Sequence, residues 1–458
     1  MNPLVSALWR ASSIPPPLIF SKAITHLART RALHGSGFHT SVKRCQANDY
    51  PSPAEIAPLL DEFAHHPARP LTLSTLLSFG RPLTPESVLN SVEQVRTEIP
   101  RLFVRRVRAL EDLPFIVGMN PFIARTLAAH RRSFQLLATY PSVTSLEDNV
   151  KFTEQLEILV RNHANDIPIM AKGFQECSRY MSTEQISEFL DSAIHNRIAV
   201  RLLAEHHIAL SRDLQSPTSS TKDHIGIVQM ECSPKKMIKM CGSFVTDLCE
   251  ATLGASPEII IDGEADATFA YIPVHLEYIL TEILKNSFRA TVERHHKLHG
   301  SSTNVPIPPV ALTITPPTYS SPHPAVLSIR IRDQGGGVSP ANIPHIFSYS
   351  FTTAGPAEDA DGLGGGPYAA QHVGGSAAIN GSADAGGGSG GLFGEIVGRG
   401  IQTGMGTIAG LGYGLPMSRL YAMYFGGALD FFSLDGWGSD VFVKLRCLDE
   451  AGDVHIGR

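Results

Sequence analysis

Residues Val274–Glu293 read VHLEYILTEILKNSFRATVE, and this stretch decides the fold. Leu276, Ile279, Leu280, Ile283 and Leu284 recur at three- and four-residue steps, the apolar stripe of an amphipathic helix. Polar residues interrupt the stripe at His275, Glu282, Asn286 and Arg289. Their steps of seven, four and three place them on one side of a helix. Such a side can present a base, an amide oxygen and a cation to one ligand. Taken alone, the stretch is equally an ordinary helix with a wet face. Two glycine-rich segments further along change that balance.

The first segment follows a strand-like run, Leu327–Arg332, and reads DQGGGV from Asp333 to Val338. A carboxylate at a strand end can accept a hydrogen bond from an exocyclic amine. The glycines, Gly337 among them, let backbone pass close beneath a flat base. The second segment is GLGYGL, with Gly410, Leu411, Gly412, Tyr413, Gly414 and Leu415, followed by PMSRLYAMYFGG. Its glycines precede a helix expected over Pro416–Phe425, whose unpaired backbone N–H groups suit phosphate oxygens. No lysine–serine pair follows, so this is not a Walker A loop. Each segment alone is a weak signal.

The chain has 458 residues and a formal net charge of -5, enough for two or three domains. Neither the charge balance nor any arginine–aromatic interleaving calls for a nucleic acid. No run of 18 apolar residues offers a membrane span. Residues 1–44 carry Arg10, Lys22, Arg29, Arg31, Lys43 and Arg44 and no acid, the first being Asp49. That is the composition of a mitochondrial targeting segment, with the matrix as destination. The six cysteines form no metal-spaced cluster and read as reduced thiols.

Residues 50–215 read as a succession of helices. One is expected over Pro85–Ala109, broken or kinked at Pro100, and another opens at Ser182 with a capping box to Gln185 and runs towards His207. Antiparallel spacing points to a four-helix bundle. His163, His195, His206 and His207 sit in no defensible phosphoacceptor segment, and Arg101, Arg105, Arg106 and Arg108 suggest a basic face. A polar linker is expected over Ser211–Asp223, then a single strand over His224–Met230. Further strands are expected at Pro257–Asp262, Val310–Thr315, Val326–Arg332, Leu429–Ser433 and Asp440–Arg446. The fold class is therefore α+β. A targeting segment at 1–44 precedes a helical-bundle domain at 50–217 and an α/β sandwich domain with a mixed sheet at 218–450.

A Glu-x-x-x-Asn helix, then Asp-x-Gly-x-Gly, then a glycine-rich helix start resembles the ATP-binding fold shared by histidine kinases, gyrase B, the 90-kDa heat-shock protein and MutL. The likeness is closer to one branch, the mitochondrial 2-oxoacid dehydrogenase kinases. EILKNSFRATVE, FSYSFTTAG at Phe347–Gly355, GLGYGLPMSRLYAMYFGG, LPFIVGMNP at Leu113–Pro121 and NRIAVRLLAEHHIAL at Asn196–Leu210 carry it. This resemblance implies a protein-serine kinase using ATP, Mg2+ and K+, acting on the E1 α subunit of a 2-oxoacid dehydrogenase complex. It further implies docking to the lipoyl domain of E2 through the helical domain, and a homodimer.

The same resemblance makes Asn286 the magnesium ligand, Asp333 the adenine-reading carboxylate, and Glu282 the general base with His275 behind it. Arg289, Gly337, Thr352 and Thr353 fall at nucleotide-contact positions, and Gly410–Leu415 falls on the phosphates. Gly355–Gly400 holds 16 glycines in 46 residues and departs from the family pattern as an insertion in the ATP lid. His295–Pro309 is expected to lengthen a surface connection. The substrate cues conflict. The short end after Gly427 and LPFIVGMNP lean towards the branched-chain enzyme, and His275 in IPVHLEYIL leans towards the pyruvate enzyme, which is the main reading.

Overall fold

The computed structural model describes residues 53–215, 223–300, 305–317, 325–349 and 412–447. Met1–Asp49 separates as its own unit and lies outside the described residues, with the targeting segment expected at 1–44. Thr352, Thr353, Gly410, Leu411 and the glycine-rich stretch 355–400 lie outside them too. Tyr50–Arg458 forms one compact unit.

The first half of that unit is helical. It contains α1 (Pro53–Ala64), α2 (Leu73–Ser78), α3 (Pro85–Glu111), the single turn α4 (Phe115–Gly118), α5 (Pro121–Ala138), α6 (Leu146–Asn162), α7 (Asp166–Glu176) and α8 (Thr183–Gln215). Side chains set several starts by satisfying first-turn N–H groups. Thr84 and Ser87 form a capping box on α3, and the Asn120 Oδ1 accepts from Phe122 and Ile123 at the start of α5. At α8 the expected box is present: the Ser182 N–H donates to Gln185, and the Gln185 N–H donates to Ser182.

Helix α3 packs against α1, α5 and α8, and α6 packs against α8. Val88, Val92, Val95 and Ile99 line its inner side as the periodicity requires. Pro100 does not break α3, which continues to Glu111. The proline is buried, and packing on several helices outweighs one lost backbone hydrogen bond.

Two further expectations change. The linker expected from Ser211 begins later, because α8 runs on to Gln215. Ser211 is buried and accepts a hydrogen bond from Asn149 Nδ2, while Arg212 pairs with Glu157 on α6 at 2.5 Å. Nor do the four arginines of α3 share one face. Arg106 is buried under the Phe189 ring, Arg101 pairs with Glu98, and Arg108 pairs with Asp61.

In the second half, His224–Met230 is a hairpin of two short strands, β1 (His224–Ile225) and β2 (Val228–Cys232), rather than one. Gly226 turns the chain between them at φ +55°. Then come α9 (Pro234–Leu253), β3 (Ile259–Gly263), β4 (Phe269–Tyr271), α10 (Pro273–His299), β5 (Val310–Thr315) and β6 (Val326–Arg332). After the gap follow α11 (Gly414–Tyr424), β7 (Ala428–Leu434) and β8 (Gly438–Arg446). Helix α10 thus absorbs His295–His299, the start of the expected surface connection.

The main sheet has the order β3-β5-β6-β8-β7. Only β3–β5 is parallel among its pairs, so the sheet is mixed, as expected. Burial alternates along β5 and β6, so Leu312, Ile314, Leu327, Ile329 and Ile331 point inward. They share one core with Ile279, Ile283 and Leu284 of α10, and α9 packs along α10. This arrangement leaves the polar side of α10 facing the ends of β6 and β8.

Candidate functional site

A cavity of about 260 Å³ lies between the polar side of α10, the turn after β6 and the first residues of α11. Glu282, Asn286, Arg289, Asp333, Gly337, Gly412, Gly414 and Leu415 all line it. Elements far apart in sequence thus bring together most of the expected site.

Glu282 is buried, and its carboxylate is bonded at one oxygen and crowded at the other. The Lys285 ammonium, also buried, donates to Oε1 at 2.6 Å. The opposite oxygen lies against the Cα of Gly414: a Cβ there would sit 2.3 Å from Oε2. A glycine is required at the start of α11 because the carboxylate occupies the space of a side chain. Asn286, one turn along, is exposed into the cavity, and the Arg289 Nε donates to Glu293 at 2.6 Å at its edge.

Asp333 stands just beyond β6 and is buried. Its Oδ1 accepts from the Gly335 N–H at 2.8 Å and the Ser439 N–H at 3.3 Å, and its Oδ2 accepts from the Ser287 hydroxyl at 3.2 Å. Burial raises its pKa above the ordinary carboxylate value, and the three hydrogen bonds oppose that rise. A buried carboxylate with spare acceptor capacity at Oδ2 is suited to an amine hydrogen.

The turn after Asp333 is pressed against the β7–β8 turn. Gly337 has φ +73°, and a Cβ there would meet the Leu434 carbonyl oxygen at 2.5 Å. Arg294 of α10 ties the two turns, donating to the carbonyls of Gln334 at 2.9 Å, Gly436 at 2.6 Å and Trp437. Lys285, Ser287 and Arg294 escaped the sequence reading. The only signal for Arg294 was its place eight residues after Asn286 on one helix.

Two expected residues lie elsewhere. Tyr413 is buried in the core, its ring 5.0 Å from that of Tyr349, whose hydroxyl donates to Asp191 of α8 at 2.6 Å. His275 is buried among the rings of Tyr271, Tyr421, Tyr424 and Phe425 and lines a separate cavity. The bonded partner of the Glu282 carboxylate is Lys285, not His275.

Among the described residues, His130, His163 and Asp166 alone bring metal-type ligand atoms within 4.8 Å. Their atoms already bond within the protein: His163 Nδ1 with Asp166 Oδ2 at 2.6 Å, His163 Nε2 with Ser133 at 2.7 Å, and His130 Nδ1 with the Thr126 carbonyl at 2.8 Å. The five cysteines in the described residues are buried and form no disulfide with one another, in line with the expected thiols.

Comparison with known proteins agrees with this geometry. Residues 70–229 match the family described as mitochondrial branched-chain alpha-ketoacid dehydrogenase kinase. Over 385 residues the chain is 28% identical to the mitochondrial [pyruvate dehydrogenase (acetyl-transferring)] kinase of Arabidopsis thaliana, covering 83% of this chain and 91% of that protein. It is 29% identical to the corresponding kinase 1 of Saccharomyces cerevisiae over 85% of this chain and 86% of the relative. It is 28% identical to the human isozyme 4 over 85% and 84%. With the helix, aspartate turn and glycine-rich helix start assembled in one cavity, the chain is similar to the mitochondrial 2-oxoacid dehydrogenase kinases over most of its length.

Proposed function

We propose that this chain is an ATP-dependent protein-serine kinase of mitochondria that phosphorylates, and so inactivates, the E1 α subunit of the pyruvate dehydrogenase complex. The observation that carries this reading is the shared cavity of Glu282, Asn286 and Asp333 against Gly412 and Gly414. The names of relatives matched over more than four fifths of the chain point to the same substrate. Matrix localisation accords with the acid-free, arginine-bearing residues 1–44.

Asp333 would accept the adenine amine at Oδ2, opposite the backbone donors that fix Oδ1. The N–H groups at the start of α11 would meet the phosphates. Asn286 offers a hard amide oxygen exposed in the cavity between these two sites, a donor suited to Mg2+. Bound there, the ion would offset phosphate charge. Glu282 would take the proton of the substrate serine as its oxygen attacks the γ-phosphorus and ADP leaves. Lys285 fixes the orientation of that carboxylate through the 2.6 Å bond.

The domain reading assigns the helices before residue 218 to a four-helix bundle that docks the E2 lipoyl domain. The solvent-facing Phe115, Ile116 and Met119 support a docking role there. A homodimer through the edge strand β7 is in keeping with the exposed Phe432 and Leu434 along it and Trp437 beyond its end. A second reading, with branched-chain E1 as substrate, is favoured by the family match over 70–229.

The test measures nucleotide affinity and phosphate transfer together, with both purified E1 proteins as acceptors. Glu282→Gln is expected to keep ATP affinity and slow transfer roughly 10²-fold or more. Asn286→Ala is expected to lose magnesium-ATP binding and transfer together. Equal loss of ATP affinity in Glu282→Gln would overturn the base assignment, and the faster acceptor identifies the substrate.

A further inference from the structure

Arg294 lies outside the lining of the nucleotide cavity, yet its guanidinium is fixed beside it. Nη1 donates to the Gln334 carbonyl at 2.9 Å and to that of Trp437, and Nη2 donates to the Gly436 carbonyl at 2.6 Å. A rigid fork of charged donors suits acceptors that converge in this way. The acceptors belong to two turns, the one after β6 and the one between β7 and β8. These turns also bond each other: the Gly436 N–H donates to the Gly336 carbonyl at 2.8 Å, and the Gly336 N–H to the Trp437 carbonyl at 3.1 Å.

One of the three acceptors leads directly to the site. The Gln334 carbonyl and the Gly335 N–H belong to one planar peptide unit, so a donor that fixes the carbonyl also fixes where the N–H points. That N–H donates to Asp333 Oδ1 at 2.8 Å. The other donor to Oδ1, the Ser439 N–H at 3.3 Å, lies two residues beyond Trp437. Arg294 therefore grips the backbone beside both N–H groups that orient the Asp333 carboxylate. Gly335 supplies a second anchor. A Cβ there would stand 2.4 Å from the Ala290 Cβ, so this turn lies directly on α10. The helix that carries Glu282 and Asn286 thus also sets the position of Asp333.

We propose that Arg294 is a positioning residue for base recognition: by clamping both turns to α10 it aims Asp333 Oδ2, and so sets the preference for adenine over purines that lack the exocyclic amine. The inference rests on the reading of Asp333 as the acceptor of that amine. Arg294 acts only through the two turns, since its side chain lies outside the cavity. Its bonds to Gly436 and Trp437 are exposed, so water can take the place of the guanidinium there. Loss of Arg294 therefore loosens the aim of Asp333 without unfolding the chain.

Titration calorimetry of the full chain with ADP and with purine riboside diphosphate, which carries hydrogen in place of the amine, tests this without any phosphate transfer. The wild type is expected to prefer ADP roughly 100-fold. Arg294→Met keeps an unbranched stem against Gly336 and removes the fork. It should weaken ADP about tenfold and the analogue less than about twofold, leaving a preference of roughly tenfold. Arg294→Lys, a charge without the fork, should give an intermediate preference. In Asp333→Asn the preference should vanish, and adding Arg294→Met should change it no further. Thermal melts without nucleotide report folding. Equal weakening of both ligands in Arg294→Met, an unchanged preference in both Arg294 variants, or failure of both to fold overturns the proposal and leaves the role of Asp333 standing. A wild type with no preference for ADP instead refutes the adenine reading of Asp333, and this inference with it.

Discussion

Gly414→Ala separates the position of the Glu282 carboxylate from its chemistry. Gly414 is the first residue of α11, and its backbone is open to an alanine. Alanine in place of glycine there gains up to about 1 kcal/mol by restricting the unfolded chain, and displacement of the buried Glu282–Lys285 pair opposes that gain. The new Cβ, however, would stand 2.3 Å from Glu282 Oε2, where contacts under 3.0 Å force a shift. The carboxylate must therefore retreat by roughly 0.7 Å, the difference between these two distances. It cannot swing freely, because Lys285 holds its other oxygen at 2.6 Å in a buried pair. Displacements of about 1 Å can cost on the order of 10²-fold in rate. The variant should thus melt at or below the wild-type temperature and slow phosphate transfer about 10- to 100-fold. Single-turnover transfer to E1, analogue affinity and a thermal melt give the three readouts. Combined with Glu282→Gln, the alanine should cost little more, since both changes act on one group. Transfer within about threefold of wild type, or additive losses in the double variant, would refute the reasoning.

Asp333→Asn should stabilise the fold and weaken nucleotide binding. Burial raises the pKa of this carboxyl, so its ionisation opposes folding as pH rises through that range, and an amide removes the charge. Its Oδ1 can keep both backbone donors and its Nδ2 can face Ser287, but that NH2 then confronts the adenine amine. ATP affinity should fall roughly 10- to 100-fold; unchanged affinity would remove Asp333 from the adenine site. Acid should unfold the chain through its buried histidines. The pKa values of His130 and His206 are pushed down to about 4, and those of His207 and His275 to about 3, from 6.5, chiefly by burial. The unfolded chain takes up these protons below pH 6.5 while the native chain resists, so stability falls as pH drops from about 6.5 to about 4. Each group contributes at most about 1.4 kcal/mol per pH unit. Urea midpoints across that range check this, and His207→Gln should lower the slope by one proton's worth.

Much of the site was legible because its signals are local. The period of Leu276–Leu284 is a property of one helix, and β5 and β6 fall at the bounds their alternation implied. Asp333 was readable because a carboxylate at a strand end with glycines behind it constrains its own neighbourhood. The cap at Ser182 was likewise visible, since a side chain reaches only the next few N–H groups.

Other features needed the folded chain. That α3 passes through Pro100, and that α8 runs beyond Ser211, depends on neighbours packed along them, which outweigh local propensity. Spacing put His275 and Glu282 on one helix side, but α11 and its aromatic rings separate them. Tyr421 packs on His275 while Gly414 packs on Glu282. The sequence by itself determined which residues share a helix or a strand, because backbone periodicity needs no distant partner. Tertiary structure alone decided that Gly414 packs on the Glu282 carboxylate, that Arg294 ties two turns, and that His275 faces a second cavity. Such contacts depend on how the chain path brings distant segments together, which no local pattern encodes.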